Sequence, residues 1–349
     1  MLSGFFAFVL MMILVIGLHE AGHAIAAYLA GVKIQRISIG FGKPVMSWFD
    51  KQQREWVWAV WPLGGYVRLL NSRIQKVRPD ELPFCFDKQP VSVRCLILVS
   101  GALMNFFIAW IALTIYFMAG HTQQAPVISR IVPGTIAAHA GLTDNDRILA
   151  VAGVPVNSWQ ETAMQFIQVW GKDKVALTVA GEGATRHLTL DLNAPLAQKK
   201  KNFLAILGIE PSDARELMAG ESLPAALSHA WYKQVQLIKF FLISIKQLVF
   251  GVIPFSYLIG PLGLLTASVN SFLLGIAAFM YFIACLSISV GLVNLLPIPG
   301  LDGGSILLAM IEKVRNKPVS VALEVLLYRL SFIFFCVFLI QLVLNDLIR

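Results

Sequence analysis

Hydrophobic residues run in long unbroken blocks near both ends of this chain and in short, punctuated stretches between them. Residues 1–18 carry no charge; three ionisable side chains then fall within 19–23, and apolar sequence resumes to residue 30. Comparable blocks occupy 91–119, 273–296 and 321–344. At about 1.5 Å per residue each can cross a hydrocarbon layer of about 30 Å, so the pattern predicts four transmembrane helices. Residues 34–70 read differently. Runs at 34–41, 44–49 and 55–61 are rich in β-branched and aromatic residues, and Gly40, Gly42, a polar turn at 50–54 and Pro62, Gly64 and Gly65 punctuate them. That predicts a small hairpin-rich sheet dipping into the membrane interface, followed by a polar loop over 71–90. Between the second and third spans, strand-like runs at 127–131, 174–179 and 186–192 mark a soluble module. After the basic run 199–201, residues 203–210 read as its closing strand. Residues 223–263 are apolar but broken by His229, Lys233, Lys239, Lys246, Gln247 and Pro254, the pattern of an amphipathic interfacial helix and a linker.

Composition agrees with a membrane protein: 57% of residues are hydrophobic, 14% are charged and the mean hydropathy is +0.71. The net charge of +8 matters through its location. Residues 33–94 hold 11 Lys and Arg against 5 acidic residues, whereas 130–221 hold 9 against 10. A basic loop between two spans is the positive-inside pattern, so 31–94 are expected in the cytoplasm and 120–232 outside it. The charge therefore reports orientation and does not call for nucleic acid. None of the four cysteines, Cys85, Cys95, Cys285 and Cys336, lies in the exported region, so no disulfide framework is implied. The first block lacks the positive n-region of a signal peptide and is read as a retained span.

The chemistry concentrates at His19-Glu20-Ala21-Gly22-His23. Residues four apart share a helix face, so both imidazoles can address one ion while Glu20 flanks them and can exchange a proton with water beside it. The blander alternative is a pair of buried histidines that hydrogen-bond in helix packing. Ionisable groups inside an apolar span are costly and point to function. Gly101 and Asn105 on the second span read as packing residues, a small side chain for close approach and an amide that bonds across an interface. The third span ends in Asn294-Leu295-Leu296-Pro297-Ile298-Pro299-Gly300-Leu301-Asp302-Gly303-Gly304, where prolines and glycine break the helix and let Asp302 turn. Four spans bring Asp302 to the membrane face that holds His19 and His23; a helix-capping carboxylate is the alternative reading of Asp302.

Residues 133–156, with Ala140-Gly141-Leu142, Asp146-Arg147-Ile148 and Val151-Ala152-Gly153, resemble a PDZ domain of the bacterial protease type, which either adds a peptide as a strand or serves only as a spacer or gate. Taken in order with the histidine motif, the Gly40-Phe41-Gly42 turn, Gly101-x-x-x-Asn105 and the Asn294–Gly304 run, this resembles the site-2 protease family, and within it the RseP type of intramembrane metalloprotease. The resemblance implies one Zn2+ held by His19, His23 and Asp302, with Glu20 as the general base. It also implies that Asn294, Pro297 and Pro299 lie beside the scissile segment, and that Gly40, Phe41 and Gly42 belong to a hairpin that pairs with substrate. Only one PDZ-like run is visible, whereas the RseP type commonly carries two.

The expected architecture is thus a multi-span α-helical membrane protein with four transmembrane helices, a cytoplasmic-side β-hairpin region and an exported α+β PDZ domain. Residues 1–119 would form the first half of the protease core, 120–210 the periplasmic PDZ-like domain, 211–272 the interfacial helix and linker, and 273–349 the second half. The expected function is zinc-dependent intramembrane proteolysis of single-span membrane proteins in a bacterial inner membrane. Such substrates include anti-sigma factors of a stress response and remnant signal peptides, cut after an upstream site-1 protease. A membrane zinc protease acting on soluble tails is the alternative of like chemistry. A catalytically inactive PDZ scaffold with a structural metal site is the alternative of another class. A transporter is disfavoured by the lack of paired broken spans.

Overall fold

The structure is a computed structural model that describes residues 2–181, 184–193 and 203–348; the basic run 199–201 lies outside the described residues. The chain divides into two compact units, one comprising Met1–Tyr116, Leu223–Val235 and Pro261–Val343, the other Phe117–Ser222, Gln236–Gly260 and Leu344–Arg349.

In the first unit the opening helix Leu2–Met12 passes through a π turn, Ile13–Gly17, into the histidine helix Leu18–Leu29. One extra residue in a helical turn rotates everything beyond it by about 100°, so this turn helps set the direction of His19 and His23. The second apolar helix, Val91–Ala119, packs closely on the first because glycine allows it. A Cβ at Gly22 would sit 2.5 Å from the Ser100 carbonyl oxygen and 2.9 Å from Met104 Cβ. The helix Ile276–Asn294 approaches the second in the same manner, with Gly291 against Asn105 and Ala102.

The region read as several short strands is instead two long, bent ones, β1 (Ile34–Phe49) and β2 (Glu55–Leu69). The first half of β1 is paired on both sides. Ile34 faces Leu69 and Ile39 faces Gly65 along one edge, while Arg36 faces Glu55 and Ile39 faces Trp58 along the other. Its second half closes an antiparallel ladder from Pro44–Ala59 to Phe49–Glu55. Gly40 and Gly42, at φ +92° and +93°, supply the bend, and a Cβ at Gly40 would lie 2.6 Å from the Trp61 carbonyl. Glycine thus turns the strand without ending it. Residues 71–90 contain two short 3-10 turns, Pro79–Phe84 and Phe86–Lys88.

After Ile276–Asn294 the chain makes a tight turn and starts the helix Asp302–Arg315, and the last helix, Val321–Ile348, follows. Gly300 takes φ +95°. A Cβ at Gly304 would lie 2.5 Å from the Ile298 carbonyl carbon, and one at Gly303 would overlap the Leu295 carbonyl oxygen. The glycine pair therefore lets the aspartate helix begin directly against the turn. Its other end is tied by ions: Glu312 accepts from Arg73 at 2.8 Å, from Arg94 at 2.9 Å and from the Val319 N–H at 3.0 Å.

The second unit holds an α+β module. A four-stranded antiparallel sheet runs in the order Val154–Pro155, Arg147–Val151, Val175–Gly181, Ala184–Leu190. Helix Trp159–Val169, capped by Ser158, covers a core containing Ile148, Phe166, Leu177 and Leu190. The closing segment differs from the expected single strand over 203–210. It is a helical turn, Phe203–Leu207, then a strand, Ile209–Pro211, paired with Ile128–Ile131. Gly208 at φ +81° makes the change of direction, which the run of apolar residues alone conceals.

Among the described residues, five helices are long and apolar enough to cross a membrane: Phe6–Leu29, Val91–Ala119, Phe255–Leu273, Ile276–Asn294 and Val321–Ile348. Four coincide with expected spans. The other, Phe255–Leu273, falls in the segment read as a linker; its continuous α-helical part, Pro261–Leu273, has 13 residues. At about 1.5 Å per residue that part is about 20 Å long, and a 3-10 turn, Phe255–Tyr257, leads into it. The amphipathic segment before it forms one helix, Leu223–Val249.

Candidate active site

Three side chains from opposite ends of the chain converge in the first unit. His19 Nε2 and His23 Nε2 are 3.2 Å apart, and Asp302 Oδ2 is 3.2 Å from the first and 3.3 Å from the second. The helix supplies the histidine pair through its four-residue spacing; the Leu295–Leu301 turn and the glycine pair deliver the aspartate. Both histidines are buried, at 5% and 9% exposure.

The donor set fits a metal. Tetrahedral zinc with bonds of about 2.0–2.1 Å sets its ligand atoms about 3.3 Å apart, the edge length of this triangle. The same three atoms make all three contacts, as ligands of one centre do; hydrogen-bonded pairs would use different atoms. Asp302 Oδ2 is buried and meets only the two Nε2 atoms, which as ligands carry no proton to give it, a costly state for a carboxylate oxygen unless a cation meets it. The outer ring nitrogens are engaged: His23 Nδ1 lies 2.7 Å from the Ile97 carbonyl oxygen, and His19 Nδ1 lies 3.3 Å from the Asn105 amide. Such contacts fix which nitrogen faces the ion.

Glu20 projects beside the triangle, and its Oε2 accepts the Val67 backbone N–H at 3.1 Å. Leu70 donates its N–H to Lys33, so by strand alternation Arg68 and Tyr66 point their backbone groups towards β1 and Gly65, Val67 and Leu69 point theirs away. The outer edge of β2 thus faces the candidate metal site. A cavity of about 640 Å³ joins them, lined by His19, Glu20, Asp302, Asn294, Phe41 and the 64–69 edge.

These features belong to a known class of peptidase. The family model described as peptidase family M50 matches residues 7–338. This chain belongs to peptidase family M50. Among similar proteins, the regulator of sigma-E protease RseP of Escherichia coli (strain K12) is 26% identical, with 98% of each chain aligned. A Neisseria meningitidis protein carrying a provisional zinc metalloprotease name is 27% identical over 90% of this chain and 92% of its own. A Vibrio cholerae protein with a similar provisional name is 26% identical, with 95% of each aligned. The RseP alignment runs over 440 positions against 349 residues here, so that M50 relative carries insertions totalling the length of a small domain.

Of the residues singled out in the sequence, His19, Glu20, His23, Asp302, Asn294 and Phe41 line the M50 cavity, and Asn294 Nδ2 is 3.3 Å from His19 Nε2. Gly40, Gly42, Pro297 and Pro299 do not line it; they shape the bend and the turn behind it. Gly101 is closer than packing residue suggests: a Cβ there would overlap His23 Nε2 and lie 2.7 Å from His19 Cε1. Missed altogether was the edge 65–69 and its hold on Glu20. Residues 64 and 65, both glycine, were its only mark in the sequence.

Proposed function

We propose that this M50 zinc metalloendopeptidase cuts single-span membrane proteins within the bilayer, after an earlier cut outside it. His19, His23 and Asp302 would hold one zinc ion, which when bound supplies Lewis acidity and a more acidic water. The observation carrying this reading is the closed triangle of Nε2, Nε2 and Oδ2 atoms with Glu20 beside it.

In this reading each group has a defined task. Glu20 takes a proton from the attacking water at a carboxylate oxygen and returns it to the leaving amine. The β2 edge offers the free backbone groups of Gly65 and Leu69 to a substrate held extended, which matters because helical peptides bury their scissile bonds in hydrogen bonds. Asn294 lies where it can orient a substrate carbonyl. The exposed aromatics Phe41, Trp48, Phe49, Trp58 and Trp61 suit a hairpin lodged at the lipid interface on the cytoplasmic side.

The finer architecture belongs to the same proposal. Four spans bring residues 31–94 and Asp302 to the cytoplasmic face of a bacterial inner membrane, with Leu223–Val249 amphipathic at the opposite surface and the α+β module exported as a single PDZ domain. The insertions in the longer relatives support a single module here. Anti-sigma-factor-type proteins are the proposed substrates, by analogy with the relatives named as sigma-E regulators.

The test is Glu20→Gln in purified protein in lipid nanodiscs, with a single-span fusion as substrate. Zinc content should stay near one per chain while cleavage falls by about 10²–10⁴-fold, the usual contribution of a general base. Cleavage at wild-type rate would remove Glu20 from the chemistry. Loss confined to fusions whose site lies inside the bilayer supports the intramembrane substrate class; equal cutting of soluble tails overturns it.

A further inference from the structure

Asn105 sits in the middle of the second apolar helix, fully buried, with its amide group 3.3 Å from His19 Nδ1. Its Oδ1 is buried and has no hydrogen-bond partner. Both facts have one resolution once the role of His19 is considered, so the inference rests on the metal reading above. A histidine that coordinates through Nε2 must be neutral, and its proton then resides on Nδ1. A proton-bearing Nδ1 needs an acceptor. The Asn105 NH2 cannot serve, since two donors would face each other; the carboxamide oxygen can. A carboxamide has nearly the same shape after a half-turn, so the same pocket accepts it with Oδ1 towards His19. That half-turn satisfies the orphaned oxygen and the ring N–H together, and moves the NH2 to the place the oxygen held.

We infer that Asn105 is a positioning residue of the metal centre: its side-chain oxygen accepts the His19 Nδ1–H and thereby fixes the tautomer and ring orientation that present Nε2 to zinc. The surroundings support a dedicated role. Gly291 of the third apolar helix lies against Asn105 Cβ, where a Cβ on residue 291 would come within 3.3 Å, and Ala102 lines the same contact, so Asn105 has little freedom to turn elsewhere. The parallel group for the other histidine is the Ile97 carbonyl on His23 Nδ1, a backbone acceptor of the same kind on the same helix. The second helix thus serves both imidazoles, one with its backbone and one with a side chain.

The experiment uses full-length protein in detergent micelles, stripped of metal and titrated with zinc against a chromophoric chelator. Loss of the acceptor in Asn105→Leu should weaken zinc binding about 10–100-fold, the usual effect of removing a ligand's outer partner. Asn105→Asp, which keeps an acceptor oxygen of the same reach, should bind zinc within a few-fold of wild type. Circular dichroism of the zinc-free proteins checks that Leu folds. Should it fail to fold, the 15N spectrum of zinc-loaded, histidine-labelled protein decides: His19 Nδ1 should carry the proton in wild type and shift in Asn105→Asp. Equal affinity in Asn105→Leu, or an unmoved Nδ1 resonance in Asn105→Asp, would overturn the assignment of Asn105 alone. Wild-type protein that binds no zinc would bring down the metal reading and this inference with it.

Discussion

At the scale of single residues, the centre depends as much on what is missing as on what is present. Gly101 carries no side chain where one would strike both imidazoles. Gly101→Ala should therefore push His19 and His23 off the triangle; zinc content measured by elemental analysis is expected to fall well below one per chain, with helicity unchanged. Full zinc occupancy in that variant would show that the rings can yield. The histidine pair and Glu20 were legible from spacing within an apolar block. Gly101 and Asn105 were legible only as packing residues, because nothing in a linear pattern says which neighbour a small or polar side chain in a helix will meet.

At the scale of elements, β2 joins Glu20, the proposed proton-transfer group, to the surface that would receive substrate. The Val67 N–H is bound by Glu20 and takes no part in the ladder to β1, so it can be deleted without unpairing the strands. Val67→Pro removes that donor at a strand edge, where proline is tolerated. The expected outcome is a lower kcat with zinc content and KM nearly unchanged, read from initial rates on a single-span fusion; an unchanged kcat would mean that Glu20 needs no such anchor. The hairpin region was foreseen as strands, but its path was not. Apolar and aromatic runs mark strands wherever they occur, whereas the double pairing of 34–39 depends on two glycine bends that bring distant segments to both of its edges.

At the scale of the molecule, the aspartate helix is held at both ends. Glycine contacts fix its start beside the histidines, and Glu312 near its end is shared by Arg73, Arg94 and the Val319 N–H. Burial works to raise the Glu312 carboxyl, but Arg94, the Val319 N–H and Arg73 outweigh it and hold it below the usual glutamate range. A depressed carboxyl contributes stability above its unfolded value of about 4.3, and that contribution disappears as pH falls through the lower folded value. Glu312→Gln should lower the thermal unfolding midpoint in detergent at pH 7, since it removes the charge that Arg73 and Arg94 share in a partly buried setting. The gap from wild type should begin to narrow as pH falls below about 4.3 and close only below the lower folded value. A gap that stays constant with pH would mean that the charge of Glu312 adds nothing.

The sequence alone determined that the chain is a membrane protein with long apolar helices, a sheet region after the first of them and an α+β module, because hydrocarbon and strand pleats each impose a period or a length on the residues. It also determined the histidine pair and the glutamate beside it, since one helical turn relates them. Asp302 was implied by its place in the ordered motifs, but only tertiary structure decided that its Oδ2 closes a triangle with the two Nε2 atoms, that the outer edge of β2 faces that triangle and that Gly101 and Asn105 lie against the imidazoles. These relations join residues tens to hundreds of positions apart, and close packing of small side chains, which leaves no period in the chain, is what brings them together.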